Sequence, residues 1–130
     1  MKYLLDTNAI IAMFRDLHCM REAILKVGFD KCFVSEITLA ELFVGIYKTN
    51  YEAHIHEIRF IEEHFSVVPI SGAIEKYAEI RAQLESDGIR LDNFDLLIAA
   101  TTITEGMTLV THNTKHFERI PRLNVRDWEK

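Results

Sequence analysis

Three acidic side chains stand where a charge is hard to accommodate. Asp6 interrupts the apolar stretch YLLDTNAII, and a carboxylate at a buried strand end is unfavourable unless a donor or a cation compensates it. Glu41 lies inside ITLAELFVGI, where the residues three and four positions away are Ile37, Thr38, Val44 and Gly45. None of these is basic, so no ion pair along the helix is open to it. Gly45, one turn on, would let another backbone approach closely. Asp95 opens DLLIAATT, with Ile98 and Ala99 one turn on. Each acid also has an ordinary explanation: a helix cap for Asp6, a solvent-facing edge for Glu41, and an anion favoured by a helix N-terminus for Asp95. Asp92, three residues before Asp95, is expected to cap that helix or to support the site from behind, leaving Asp95 to point inward.

Brought to one crevice, three carboxylates repel one another strongly. Oxygen ligands of this kind suit a hard divalent cation, Mg²⁺ or Mn²⁺. A cation held there can polarise a bound oxygen and activate water, with a neighbouring carboxylate taking the water's proton. Soft-ligand spacing for zinc is not evident. His54 and His56 diverge on a helix, and a break at Asn113-Thr114 separates His112 from His116, so all four read as surface histidines. Cys19 and Cys32 read as reduced thiols of a cytoplasmic protein rather than a disulfide framework.

The elements that must carry these residues follow from periodicity. Apolar or β-branched runs at Tyr3–Leu5, Cys32–Val34, Ser66–Ile70, Met107–Thr111 and near Asn124-Val125 predict short strands. Between them lie helical patterns: one through Ile10, Ile11, Phe14 and Leu17, capped by Thr7 or Asn8, then Met20 to Val27, which stops at Gly28. A third begins at Ser35, a fourth covers Glu52 to His64, a fifth covers Ala73 to Ser86 and is capped by Ser71, and a sixth spans Asn93 to Thr104. Strands alternating with helices predict an α/β fold, a three-layer α/β/α sandwich around a short, mostly parallel sheet. Ligands of such sheets bind beyond the carboxyl ends of the strands, where Asp6, Ser35-Glu36 and Thr111-His112-Asn113 fall.

The length of 130 residues suits a single domain, 1–130. No apolar run nears the roughly 18 residues of a membrane span, and Asp6 and Asn8 interrupt the N-terminal stretch, which does not read as a signal peptide. The formal net charge of −5 excludes nucleic-acid binding by bulk electrostatics alone; a phosphate site here must be metal-loaded or locally basic. Lys115, Arg119, Arg122 and Arg126 are candidate phosphate contacts, or simply a solvated face.

The strings LLDTN, SEITLAELFVGI, LDNFDLLIAATTI and LVTHNTKHFERIPRLNVRDW, in that order along nearly the whole chain, resemble the VapC-type toxins of the PIN-domain ribonucleases. The resemblance implies a metal-dependent endoribonuclease, the toxin of a type II toxin–antitoxin pair. It also implies a homodimer silenced by a small VapB-like antitoxin, and products with 5′-phosphate and 3′-hydroxyl ends. It carries the catalytic acids to Asp6, Glu41 and Asp95, and the fourth acidic position to Asn113, a neutral amide that leaves the second metal position open. Thr7, Asn8 and Thr111 become the polar shell that orients ligands and phosphate. Competing readings are a PIN-type nuclease acting in RNA processing or on structured DNA, a phospho-receiver-like domain and a silent binding module. A receiver is disfavoured because strand 1 ends in one acid and the late strand ends in THN without lysine.

Overall fold

The computed structural model describes residues 1–129. Five strands, β1 (Tyr3–Leu5), β2 (Cys32–Ser35), β3 (Ser66–Val68), β4 (Thr108–Val110) and β5 (Val125–Arg126), form one sheet in the order β3-β2-β1-β4-β5. Every pairing is parallel. The helices are α1 (Thr7–Phe14), α2 (Met20–Val27), α3 (Glu36–Lys48), α4 (Tyr51–His64), α5 (Ile74–Ser86), α6 (Asn93–Thr104) and the single turn α7 (Thr114–Phe117).

Successive strand residues point to opposite faces, and the two cores divide accordingly. Leu4 and Leu109 join Ile80, Leu84, Leu96 and Ile98 under α5 and α6. Leu5 and Val110 join Ile10, Met13, Ile24 and Ile61 under α1, α2 and α4. A sheet buried on both faces explains why the strands are continuously apolar rather than alternating, and it gives the expected three layers.

Several boundaries differ from the sequence reading. β3 stops at Val68, ahead of Pro69, which has no N–H to offer a ladder. Asp6, not Thr7 or Asn8, caps α1. Ser71 forms no cap bond; residues Ser71–Ala73 make a 3₁₀ turn and α5 begins at Ile74. Ser35 does cap α3, its hydroxyl accepting from the Ile37 amide at 3.0 Å. Gly28 ends α2 at φ +102°, a region that disfavours any other residue.

Strand order reverses at β1. The chain runs from β1 to β2 and β3 on one side, then returns to β4 on the other. The switch point, where doubly wound sheets open a crevice, therefore lies between the carboxyl ends of β1 and β4. There the Asp6 amide donates to the Val110 carbonyl at 3.1 Å.

Candidate active site

Asp6 follows β1 directly and is only 6 % exposed. Its backbone is extended, and Oδ1 accepts the Ala9 amide at 2.8 Å, so it serves as the N-cap of α1. The buried Thr111 hydroxyl, from just past β4, donates to the same carboxylate. That hydroxyl in turn accepts the Asn113 amide at 3.0 Å. Burial nevertheless pushes the Asp6 pKa from 3.8 to about 6. The two hydrogen bonds pull downward without prevailing, and the charges of Asp95 and Glu129 push further up.

Glu41 projects from α3 toward the first turn of α1. The Thr7 hydroxyl donates to its Oε1 at 2.6 Å, and Thr7 Oγ1 lies 3.1 Å from the buried Thr38 hydroxyl. Glu41 is half-buried and lines a cavity of about 380 Å³ with Thr7, Arg15, Gly45 and His54. The close backbone approach expected at Gly45 does not occur in this chain: a Cβ there would meet nothing within 4 Å. The glycine faces the open cavity instead.

Asp95 sits in the first turn of α6. Asp92 caps that helix, its Oδ2 accepting the Phe94 amide at 3.0 Å and the Asp95 amide at 3.3 Å. With the helix end satisfied, the Asp95 carboxylate is free to face inward. It meets His116 Nε2 at 2.9 Å. Burial raises the Asp95 pKa; His116 opposes that rise and Asp92 adds to it.

A family profile of the PIN domain matches residues 3–123. The chain belongs to the PIN-domain family. It is 33 % identical over 135 residues to Ribonuclease VapC2 of Rickettsia felis, covering all of both chains. It is 29 % identical over 130 residues to the tRNA(fMet)-specific endonuclease VapC of Shigella flexneri, covering 98 % of each. The crystal structure of VapBC2 from Rickettsia felis bound to a promoter DNA fragment contains a chain that superposes at a TM-score of 0.91. The sequence identity there is 30 %, over 99 % of this chain and 100 % of that one.

In this PIN domain the sequence-selected acids come from three elements around the switch point. Asp95 is near enough for its charge to act on Asp6, and Glu41 is tied to Thr7, the residue after Asp6. Among the described residues no ion pair reaches Asp6, so two neutral donors face a buried carboxylate. The donors around it are carboxylate and hydroxyl oxygens, the set a hard divalent cation prefers. The group fits on those two grounds.

Asn8, Asn113 and Lys115 line a neighbouring cavity of about 670 Å³, and Ile11 borders both this cavity and the one beside Glu41. Of the other basic candidates, Arg122 is engaged with Glu79 at 3.0 Å, Arg126 turns back onto the Val125 carbonyl at 2.9 Å, and Arg119 is exposed.

The sequence reading leaves His116 outside the site. The reading as a surface histidine assumed that Asn113-Thr114 breaks the helix; instead α7 begins at Thr114 and swings the ring inward, where the side chain is 25 % exposed. The signal was available: His116 lies one helical turn beyond Asn113, on the same face.

Proposed function

We propose that residues 1–130 work as a single Mg²⁺- or Mn²⁺-dependent endoribonuclease domain, the toxin of a type II toxin–antitoxin pair. The observation that carries this reading is Asp6, a buried carboxylate at the switch point of a parallel sheet, without a cationic partner among the described residues and charged against Asp95. Asp6 and Asp95 would hold the cation, with Glu41 beside them. When bound, the cation supplies phosphate polarisation and water activation. The chain's own residues do the rest. Thr7 fixes the Glu41 carboxylate, which holds the cation or accepts the water's proton. Thr111 orients Asp6, Asp92 frees Asp95, and His116 steers the Asp95 carboxylate. Asn8, Asn113 and Lys115 line the adjoining cavity, where backbone phosphates would be held. Arg119 and Arg122 are more distant candidates for the same role.

The names of the relatives support RNA as substrate, and the VapBC2 structure supports a VapB-like antitoxin as partner. An apolar groove of about 390 Å³, lined by Met13, Phe14, Ile24, Leu25, Phe29 and Phe60, is a surface for an apolar segment of such a partner. Exposed Val44 and Tyr47 on α3 support a homodimer. No helix of the described residues is long and apolar enough to cross a membrane, and the cytoplasm is the proposed compartment.

The test is cleavage of structured RNA, tRNA included, by wild type, Asp6→Asn and Asp95→Asn, each with Mg²⁺ and with chelator. Cleavage is expected only for wild type with Mg²⁺, with either substitution lowering the rate at least about a hundredfold. Equal cleavage in chelator, or by either variant, would overturn the proposal.

A further inference from the structure

A second cluster of metal-type donors lines the 670 Å³ cavity and contains none of Asp6, Glu41 and Asp95. His112, from the loop after β4, and Asp127 and Glu129, from the segment after β5, each offer one ligand atom. These atoms all lie within 4.8 Å of one another. His112 Nδ1 is 3.1 Å from Asp127 Oδ2 and 3.7 Å from Glu129 Oε2. Four ligands held about 2.1 Å from a tetrahedral cation stand about 3.4 Å apart, so both spacings bracket the edge of such a polyhedron. His18, from the loop between α1 and α2, stands beside the cluster, with Nε2 3.8 Å from the other Glu129 oxygen, Oε1. Its ring lies nearly parallel to that of His112, with centroids 6.2 Å apart and 6° between planes.

The cluster is also held in place. The Glu129 amide donates to Asp127 Oδ1 at 2.9 Å, which turns the other Asp127 oxygen toward His112. Trp128, between the two acids, packs edge-on against Tyr3 at 4.9 Å. Glu129 is drawn in so far that its side chain is only 11 % exposed. We propose that His112, Asp127 and Glu129 form a second metal site for a borderline divalent cation of the Zn²⁺ class, with water completing the shell. An imidazole beside two carboxylates favours such an ion over Mg²⁺, which takes oxygen ligands and releases water reluctantly. A doubly charged cation also neutralises the two carboxylates. Bound there, it would clamp residues 127–129 to the loop that carries His112, beside Asn8 and Asn113. The inference stands independently of the nuclease reading.

The experiment titrates Zn²⁺ calorimetrically into untagged protein in excess Mg²⁺, which occupies any hard-oxygen centre, and records the X-ray absorption of the zinc-loaded wild type. Expected are one equivalent of Zn²⁺ and a mixed shell with imidazole back-scattering. Affinity should fall by at least about tenfold in His112→Ala and in Asp127→Asn, and stay unchanged in Asp95→Asn. No zinc uptake in excess Mg²⁺, undiminished affinity in His112→Ala, or loss of affinity in Asp95→Asn would overturn the proposal, the last by moving the zinc to the Asp6 centre. If His112→Ala failed to fold, the wild-type spectrum would decide: a shell without imidazole contradicts the assignment.

Discussion

Asp6 and Asp127 are the same residue type in the same topological place, each directly after a strand of a parallel sheet, β1 and β5. Their surroundings differ completely. β1 is the central strand, and its carboxyl end lies beneath helices on both faces, so Asp6 is removed from water. β5 is an edge strand of two residues, so Asp127 is exposed and has His112 within hydrogen-bond reach. One carboxylate is destabilised by desolvation that neutral donors cannot offset; the other is hydrated and paired. Position within the sheet, not residue type, decides which acid bears the cost of desolvation.

The largest expected effect breaks that contrast by removing a charge. The rise of the Asp6 pKa from 3.8 to about 6 corresponds to about 3 kcal/mol of penalty on its ionised form at neutral pH. Asn keeps the cap on α1, so Asp6→Asn in chelator should unfold roughly 10 °C above wild type at neutral pH. A differential melt checks this; an unchanged or lower melting temperature would mean that Asp6 is a cap and nothing more.

The same penalty has a pH signature. Asp6 takes up its proton more readily in the folded chain than in the unfolded one. Metal-free wild type should therefore gain stability relative to Asp6→Asn as pH falls through about 6. The gap between the two proteins should close by about pH 3.8, where the carboxyl is protonated in both states. Denaturant titrations across that window measure it, and a gap that widened toward acid would have the wrong sign.

Next in size is Thr111→Val, which removes a donor to Asp6 and an acceptor for the Asn113 amide. A loss of about 1–3 kcal/mol is expected, read as a lower denaturation midpoint. Much of it should disappear in an Asp6→Asn background, where no buried charge remains. Smallest is Asp127→Asn without metal. Its His112 partner is exposed and Asn keeps the oxygen that accepts the Glu129 amide, so stability should move by no more than about 0.5 kcal/mol; a shift as large as that of Asp6→Asn would erase the difference between the two carboxylates.

The sheet was largely legible because buried parallel strands are short continuous apolar runs between helical patterns, and Asp6 stood out by breaking one of them. Asp92 as cap and Asp95 as the inward acid followed from their three-residue spacing at a helix start. The misreadings have local causes. The sequence offers Asp6 as a cap or a site residue and assigns the cap of α1 to Thr7 or Asn8; the extended backbone at Asp6 lets it cap the helix and still face the site. His116 reads as a surface residue only while Asn113-Thr114 is taken as a helix break; it is a helix start. The His112–Asp127–Glu129 cluster had no local spacing to betray it, since β4 and β5 must pair before the loop after one meets the segment after the other.

A divalent cation held in the pocket at the end of β1 would offset the buried charge of Asp6. Titration of Mg²⁺ into metal-free wild type and Asp6→Asn, followed by thermal unfolding, tests it most directly. Saturating Mg²⁺ should raise the stability of wild type, reversing the order seen in chelator, and leave Asp6→Asn nearly unmoved. Equal stabilisation of both proteins, or none of wild type, would contradict it.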